Sequence, residues 1–336
     1  SIRQLRRRQQ LKGMAQVVWN PNHDGRRPMI QVRDLRVDYD DVCAVSDLSL
    51  EIPPGEVYGL IGPNGAGKTT TIRTMMGLLE PTYGEILLNG VDVATHREKA
   101  LLQVGFMPDT TPLYEDLKVW EYLDLFAASY RIPEEKRSAA ISKYLEMVDL
   151  TEKRDALTAG LSRGMRQRLI LAKTLLPEPT IVLLDEPASG MDPHGRVLLR
   201  NILRQLGAEG KTVLISSHIL SELSDFCTSI GVMEKGRLVV TGRVGEISAH
   251  VLGKARVRLE LLSGADRCAQ LLAETRGISE VRQDGNHFTF ASDGTPEEDS
   301  DLLAALITAG VRLLAYGREK ENLEELFMKI GAKEVS

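Results

Sequence analysis

The spacing of hydrophobic and polar residues predicts short strands and amphipathic helices along most of the chain. "MIQVRDLRVDY" and "DLSLEI" alternate as strands with one buried face do, and "GEVYGLIG" is a short apolar strand that leads into a glycine-rich loop. Further strands are predicted in "TIVLLDEP" and "KTVLISS", whereas "LKVWEYLDLFAASYR" has apolar residues at helical spacing. The larger part of the chain therefore combines strands and helices.

After Gly245 the pattern changes, and residues 246–336 form a predicted small α+β domain. "ARVRLEL", "HFTFA" and "VRLLAY" are predicted strands, "DRCAQLLAETRG" and "EEDSDLLAALITAG" are predicted helices, and "DGN" is a predicted hairpin turn. The resulting order βαββαβ suggests a ferredoxin-like fold. A last amphipathic helix is predicted over "NLEELFMKI". We expect an accessory or dimerisation role for this domain.

The composition is that of an ordinary globular protein, since 43% of the 336 residues are hydrophobic and 26% are charged. The net charge of -5 does not favour nucleic acid, so no nucleic-acid partner is expected. No apolar run reaches the roughly 18 residues that span a bilayer, and no signal peptide is visible. Cys43, Cys227 and Cys268 match neither a zinc motif nor a disulfide framework, which fits a reducing cytoplasm.

Residues 1–28 form an arginine-rich leader in which Pro21, Gly25 and Pro28 disfavour a helix. Two interpretations stay open for it, namely a solvated leader without regular structure and an arm that binds acidic lipid or nucleic acid. We expect ordered structure to begin near Met29.

The glycine-rich loop is "GPNGAGKTT", which matches the phosphate-loop pattern G-x-x-x-x-G-K-[ST] between a strand and a helix. Such a loop turns its backbone N–H groups towards phosphates, its lysine meets the β- and γ-phosphates, and its hydroxyl reaches Mg²⁺. We therefore expect a bound nucleotide with Mg²⁺ on Thr69. The residues predicted to hold this nucleotide are Gly62, Asn64, Gly65, Gly67, Lys68, Thr69 and Thr70.

Two carboxylates end the predicted strand in "TIVLLDEP". In phosphate-loop ATPases an aspartate at a strand end holds the Mg²⁺ shell, and an adjacent glutamate polarises the attacking water. This predicts Asp185 as a metal ligand and Glu186 as a catalytic residue that acts beside Lys68.

The stretch "LSRGMRQRL" lies shortly before this strand, and "SGMD" and "SSHIL" follow it. This ordered set resembles the nucleotide-binding domain of ATP-binding cassette (ABC) proteins, whose signature is usually LSGGQ; Arg163 and Met165 depart from it. The resemblance covers about residues 29–245. It implies an α/β phosphate-loop NTPase fold with a helical subdomain at about residues 108–175, and it implies ATP and Mg²⁺ as cofactors.

The resemblance also implies that two such domains pair head to tail. Ser162 and the Gly164 backbone, at the start of a predicted helix, then contact the γ-phosphate of ATP held by the other domain. Asp192 in "SGMD" corresponds to the loop that crosses the dimer interface. The signature of one domain would therefore bind the γ-phosphate of the ATP that the partner domain holds.

Three further residues take family roles by the same resemblance. Tyr39 corresponds to the aromatic residue that stacks on adenine, although its position at a strand end also permits plain packing. His218 corresponds to the switch histidine, which reaches the γ-phosphate and orients the water with Glu186. Asp109 stands where the family usually has a glutamine; it keeps an oxygen ligand for Mg²⁺ and adds a charge.

The C-terminal extension resembles that of ATP-binding subunits from drug, lipid or polysaccharide exporters and from gliding-motility systems. This implies an ATP-hydrolysing motor of an export-type ABC transporter, which acts as a homodimer or heterodimer. Its partners would be transmembrane permease subunits that hold it at the cytoplasmic face of the membrane. In this family the surface near Tyr114 and Trp120 would face those subunits.

Two other classes of phosphate-loop protein fit the sequence less well than a transporter subunit. A soluble ABC ATPase that acts on ribosomes or DNA generally has two cassettes in one chain or a long coiled-coil insertion, and the sequence has neither. A phosphate-loop kinase or GTPase is disfavoured by the signature and by His218. The cargo cannot be inferred, because cargo contacts lie in the membrane subunits.

Overall fold

The computed structural model describes residues 27–219, 223, 226–244, 247 and 255–318. The chain divides into two compact units between Val244 and Gly245. Residues 1–26 of the predicted leader and the helix predicted over "NLEELFMKI" lie outside the described residues.

The first unit contains ten strands and six α-helices within the described residues. The strands are β1 (Ile30–Tyr39), β2 (Val42–Ile52), β3 (Val57–Ile61), β4 (Tyr83–Leu88), β5 (Val91–Asp92), β6 (Val104–Met107), β7 (Ile181–Leu184), β8 (Thr212–Ser217), β9 (Ser229–Glu234) and β10 (Arg237–Arg243). The helices are α1 (Lys68–Met75), α2 (Arg97–Leu101), α3 (Val119–Ser129), α4 (Glu134–Met147), α5 (Arg163–Leu175) and α6 (Pro193–Ala208).

Two sheets form the body of this unit. One has the order β2-β1-β4-β5 and is antiparallel, and the other has the order β10-β9-β3-β8-β7-β6. In the second sheet β9, β3, β8, β7 and β6 are parallel. Their carboxyl ends therefore meet at one edge, where an open α/β sheet places its ligands.

The parallel strands are buried because each is an almost continuous apolar run. β3 and β7 are buried over their whole lengths, and so is β8. Apolar side chains of β1 and β2, such as Leu35 and Leu48, join them in one core. Because β3, β7 and β8 are packed in this core, the loops that follow them leave the sheet at the same edge.

Helices α3, α4 and α5 pack on one another and fall within the predicted helical subdomain. α3 buries Val119, Tyr122 and Leu123, as its helical spacing predicts. Tyr130, the last apolar residue of the predicted helical stretch "LKVWEYLDLFAASYR", follows the last helical turn and is 41% exposed.

The second unit has the order β11 (Ala255–Ser263), α7 (Ala265–Glu274), β12 (Ile278–Asp284), β13 (His287–Ser292), α8 (Pro296–Thr308) and β14 (Arg312–Arg318). Its sheet is antiparallel with the order β12-β13-β11-β14, which is the strand order of ferredoxin-like domains. Val257 and Phe288 pack with Cys268 of α7 and Leu306 of α8 in a separate core. The two helices therefore lie on one face of the sheet.

A buried carboxylate fastens α8 to the edge strand β14. Asp299 is 3% exposed and accepts hydrogen bonds from Ser292 Oγ at 3.2 Å, Tyr316 OH at 2.8 Å and Arg318 Nη1 at 2.8 Å. Burial, with the nearby Asp299, raises the pKa of Tyr316 to about 12, so the phenol keeps its proton and donates.

We expect Asp299→Ala to destabilise the second unit by about 2 kcal/mol, because it leaves Arg318 and Tyr316 without their acceptor. Asp301→Ala, on the exposed side of the same helix, is the matched control and should change stability by less than about 0.5 kcal/mol. Thermal unfolding and amide hydrogen exchange in β14, both on the full chain, measure the effect. Equal stabilities of the two variants would contradict the role given to Asp299.

Candidate functional site

The loop between β3 and α1 has glycine where the backbone leaves no room for a side chain. A Cβ atom on Gly62 would lie 2.4 Å from the carbonyl oxygen of Met233. One on Gly67, whose φ is +101°, would lie 2.5 Å from the carbonyl oxygen of Ala44. Glycine at both positions lets the loop curl against β2 and β9, with its N–H groups at the start of α1.

Lys68 is the first residue of α1, and its side chain is turned back over the loop. Its Nζ donates to the carbonyl oxygens of Gly62 at 2.7 Å and Pro63 at 3.3 Å, and it lies 3.3 Å from Glu186 Oε1. The residue is only 5% exposed. A buried ammonium is thus held between the phosphate loop and the end of β7.

Asp185 follows β7 and is fully buried. Its Oδ1 accepts hydrogen bonds from Ser216 Oγ at 2.6 Å and Thr69 Oγ1 at 3.2 Å. Burial raises the pKa of this carboxyl, and the two hydroxyls act in the opposite direction. Its other oxygen, Oδ2, is buried and has no hydrogen-bond partner in the described part of the chain.

These groups fit a Mg²⁺ ion. Asp185 Oδ2 is an oxygen acceptor with its capacity unused, and the Thr69 hydroxyl lies beside it. No group of three or more acidic, histidine or cysteine side chains among the described residues forms a metal cage. A magnesium ion bound through one or two carboxylates takes its remaining ligands from phosphates and water. The donor set therefore suits Mg²⁺ carried by a nucleotide.

Glu186 adopts a backbone conformation that glutamate seldom takes, with φ of +49°. Its N–H donates to Ser216 Oγ at 2.9 Å. Its carboxylate lies between Lys68 Nζ and His218, whose Nδ1 is 2.8 Å from Oε2. The turn after β7 thus aims a carboxylate at the phosphate loop, and the residue after β8 orients it.

Asp109 follows β6 and lies at the rim of the same site. Its Oδ1 accepts a hydrogen bond from the Thr110 N–H at 2.8 Å and lies 3.6 Å from Arg73 Nη2. Its carbonyl oxygen is 3.5 Å from Gln167 Nε2 of α5. The position therefore joins the phosphate-loop side of the site to the helical subdomain.

All of the predicted phosphate-loop residues except Gly62 line one open cleft together with Asp109 and Glu186, and its volume is about 490 Å³. Within the described residues its lining is Val42, Cys43, Ala44, Asn64, Gly65, Ala66, Gly67, Lys68, Thr69, Thr70, Asp109, Glu186 and Lys235. Tyr39 is not in this lining and is 42% exposed. As the last residue of β1 it pairs with Val42 of β2, which does line the cleft.

Ser162 and Gly164 are also absent from the lining of this cleft. Ser162 is the N-cap of α5, and its Oγ accepts a hydrogen bond from the Met165 N–H at 3.3 Å. Since the hydroxyl is used there as an acceptor, its proton is available to another acceptor. Asp192 caps α6 through a 2.8 Å bond from the Gly195 N–H. The signature thus forms the capped N-terminus of α5 and lies outside the lining of this cleft.

Ser216 is a site residue that the sequence motifs missed. It bonds both Asp185 and the Glu186 N–H, and so it fixes the two carboxylates relative to each other. The signal for it was a polar residue inside the otherwise apolar run "TVLIS", two positions before His218.

Cys43 and Lys235 were missed for a different reason. Both line the cleft, but neither belongs to a local motif. The turn between β9 and β10 brings Lys235 there, because the N–H of Gly236 donates to the carbonyl oxygen of Ala66 at 3.0 Å. Only tertiary packing places these residues.

Comparison with known proteins agrees with this geometry. A family model described as "ABC transporter" matches residues 45–189. The chain is 33% identical over 311 residues to "Nod factor export ATP-binding protein I" of Cupriavidus metallidurans, covering 91% of this chain and 98% of that protein. The protein of the same name from Rhizobium meliloti is 33% identical over 309 residues, covering 91% and 89%.

A solved structure described as the ATP binding subunit of an ABC transporter is similar in fold. Its TM-score is 0.62 and its sequence identity is 32%, over 67% of this chain and 93% of that chain.

Proposed function

We propose that the cleft hydrolyses ATP as half of a composite site, because the chain belongs to the ATP-binding subunits of ABC transporters. It is homologous to export ATP-binding proteins. Proteins of this family bind ATP, couple its hydrolysis to transport, dimerise and work with membrane subunits. The chain is thus a transporter motor and not a soluble ATPase of ribosomes or DNA. The observation that carries the proposal is the contact of Glu186 with both Lys68 and His218.

Binding of ATP is assigned to the phosphate loop. The N–H groups of Gly65, Gly67, Thr69 and Thr70 would surround the phosphates, and Lys68 would exchange its loop carbonyl partners for phosphate oxygens. Thr69 and Asp185 would hold Mg²⁺, which when bound neutralises charge on the β- and γ-phosphates. The buried acceptor Oδ2 of Asp185 supports this assignment.

Hydrolysis is assigned to Glu186. A carboxylate held at the end of β7 accepts the proton of a water that attacks the γ-phosphate, and its position is set by His218 and by the Ser216 hydroxyl. His218 is 46% exposed at its side chain, so it can also reach an incoming phosphate. The strained φ of Glu186 supports a functional reason for this conformation.

The second half of the site is assigned to the signature of another chain. The α5 N-terminus offers unpaired N–H groups and the Ser162 hydroxyl to an anion, but it does not line the chain's own cleft. A head-to-tail dimer with two-fold symmetry would place each signature over the partner's ATP. Whether the partner is a second copy or a related chain stays open.

Membrane attachment is assigned to separate permease subunits at the cytoplasmic face. No helix in the described ranges has the length and apolar character to cross a bilayer. Tyr114, 59% exposed beside the Asp109 loop, and the half-buried Trp120 form a surface that suits a protein partner. The C-terminal domain predicted for residues 246–336 is assigned an accessory or dimerisation role.

Asp109 variants test the proposal. Asp109→Ala should leave ATP affinity within about threefold, a change in binding free energy of about 0.7 kcal/mol. The reason is that the phosphate loop dominates initial binding. Turnover should fall by about tenfold or more, because the carboxylate acts only when its loop closes on the nucleotide. Asp109→Asn keeps one oxygen and should lie between.

ATP binding and steady-state hydrolysis are to be measured for both variants, with and without the membrane subunits. The defect should be larger in the assembled transporter, because the same loop joins the cleft to the helical subdomain. Asp116→Ala, an exposed change a few residues further along, is the control. Normal turnover of Asp109→Ala in both settings would show that Asp109 is only a solvated loop residue.

A further inference from the structure

Arg163 stands where ABC signatures usually have a small residue, and its side chain has defined contacts. We propose that Arg163 is a positioning residue for Glu186 of its own chain, by which the signature helix is joined to the loop that carries the hydrolytic carboxylate. This inference rests on the hydrolytic role proposed for Glu186.

Two contacts fix the Arg163 side chain within its own chain. Its Nη2 donates to Ser189 Oγ at 3.1 Å. Its Nε and Cδ lie against Gly190, where a Cβ atom would be 2.3 Å and 2.5 Å from them. Gly190 has φ of +75°, a conformation that favours glycine, and its lack of a side chain leaves room for the arginine stem. The arginine stem therefore covers the backbone of "SGMD".

The loop under Arg163 leads back to Glu186 through a short hydrogen-bonded turn. The Ser189 N–H donates to the carbonyl oxygen of Glu186 at 3.1 Å, and the Met191 N–H donates to that of Ala188 at 3.1 Å. Glu186 itself is held at φ of +49°, a conformation that persists only where surrounding contacts impose it. The bond from Arg163 to Ser189 holds the residue whose N–H donates to Glu186, so it acts on Glu186 through this turn.

The signature backbone also touches this loop. A Cβ atom on Gly164 would lie 3.6 Å from the Gly190 carbonyl oxygen and 3.6 Å from Met191 Cα. The N-cap Ser162, which is proposed to meet the partner's ATP, precedes Arg163 directly. A shift of the signature on meeting that ATP would therefore be passed to the chain's own Glu186.

An arginine at this position has an alternative role as a direct ligand of the γ-phosphate held by the other chain. The observed bond to Ser189 and the packing on Gly190 favour the role within the chain. The two roles predict different results, because one damages the chain's own site and the other damages the partner's.

Single-chain variants give the first test. Arg163→Ala should lower turnover by about tenfold and leave ATP affinity within about twofold, the pattern of an interaction that acts on the transition state. Arg163→Lys, which can still donate to Ser189, should stay within about threefold of the parent. Ser189→Ala should lower turnover by about threefold. Lys143→Ala, an exposed cation of the same subdomain, is the charge control.

The double variant of Arg163→Ala and Ser189→Ala should be no slower than Arg163→Ala alone, because both changes remove the same contact. If the two losses of turnover multiply in the double variant, Arg163 and Ser189 act independently and the proposed coupling between them is overturned. A fall in ATP affinity or melting temperature that matches the fall in turnover would assign Arg163 a merely structural role and overturn the proposal too.

Mixed dimers show whether Arg163 acts on the site of its own chain or on the site of the partner chain. When Arg163→Ala chains are mixed with Lys68→Ala chains, the one site with an intact Lys68 also carries the impaired Glu186. Turnover should therefore stay about tenfold below that of a mixture of Ser162→Arg and Lys68→Ala chains. Equal recovery of both mixtures would overturn the proposal. If the Ser162→Arg mixture itself fails to recover, either the composite site is in error or both sites must act together, and the Arg163 and Ser189 coupling is then decided by the double variant alone.

Discussion

Replacing Glu186 by glutamine is expected to lower ATP hydrolysis by at least about a hundredfold while ATP binding is kept. Glutamine has almost the same shape, so the turn after β7 and the contact with His218 can persist. It cannot accept the proton of the attacking water. ATP affinity depends on the phosphate loop and Lys68, whose contacts with Gly62 and Pro63 do not involve residue 186.

In the proposed composite site, hydrolysis separates the two chains, so Glu186→Gln should also accumulate as a closed dimer with two trapped ATP molecules. Size-exclusion chromatography with Mg·ATP, together with phosphate release, measures both effects. Glu209→Gln, on the exposed surface after α6, is the control and should behave as the parent. A Glu186→Gln chain that stays monomeric with ATP, alone and with its membrane subunits, would count against the composite site.

The second large effect is expected from mixing two inactive chains. Lys68→Ala removes the ammonium that is proposed to meet the β- and γ-phosphates, and Ser162→Arg blocks the α5 N-terminus with a long side chain. Each homodimer should be inactive. In a mixed dimer both lesions fall on one composite site, so the other site is intact and activity should return in part.

Steady-state hydrolysis across a range of mixing ratios measures this recovery, which should reach at most about half of the parent activity per mixed dimer. Each variant measured alone, at the same total concentration, is the control. Absence of recovery in demonstrated mixed dimers would mean that the signature serves its own chain's nucleotide or that both sites must act together.

The sequence allowed much of the first unit to be predicted, because its chemistry lies in short ordered motifs. The phosphate loop, the Asp185–Glu186 pair and His218 each follow a buried strand, and parallel strands end at one edge. Their meeting was therefore predictable from order alone. The family assignment, the ATPase activity and the export-type relationship are confirmed by the related proteins.

Other parts of the site depend on contacts between distant segments. Ser216 bonds Asp185 across 31 positions of sequence, and Lys235 reaches the cleft only through a turn that packs on Ala66. The left-handed conformation of Glu186 has no sequence signal, because glutamate rarely adopts it. The roles of Tyr39, Ser162 and Gly164 remain predictions, because nucleotide and partner chain define them.

The departures from the family motifs illustrate the same limit. At Arg163 and Asp109 the sequence shows a substitution but not what the new side chain touches. The structure gives each a partner, Ser189 for the arginine and the Thr110 N–H and Arg73 for the aspartate. A local pattern predicts that a motif is present, whereas the effect of a changed residue depends on the fold around it.

The most direct test of the central claim is a structure of Glu186→Gln bound to Mg·ATP. We expect two ATP molecules between two chains, each with its γ-phosphate near Lys68 of one chain and within about 3 Å of the Ser162 hydroxyl and the Gly164 N–H of the other. An ATP that meets Ser162 of the same chain, or a dimer whose two clefts face away from the opposite signature, would contradict it.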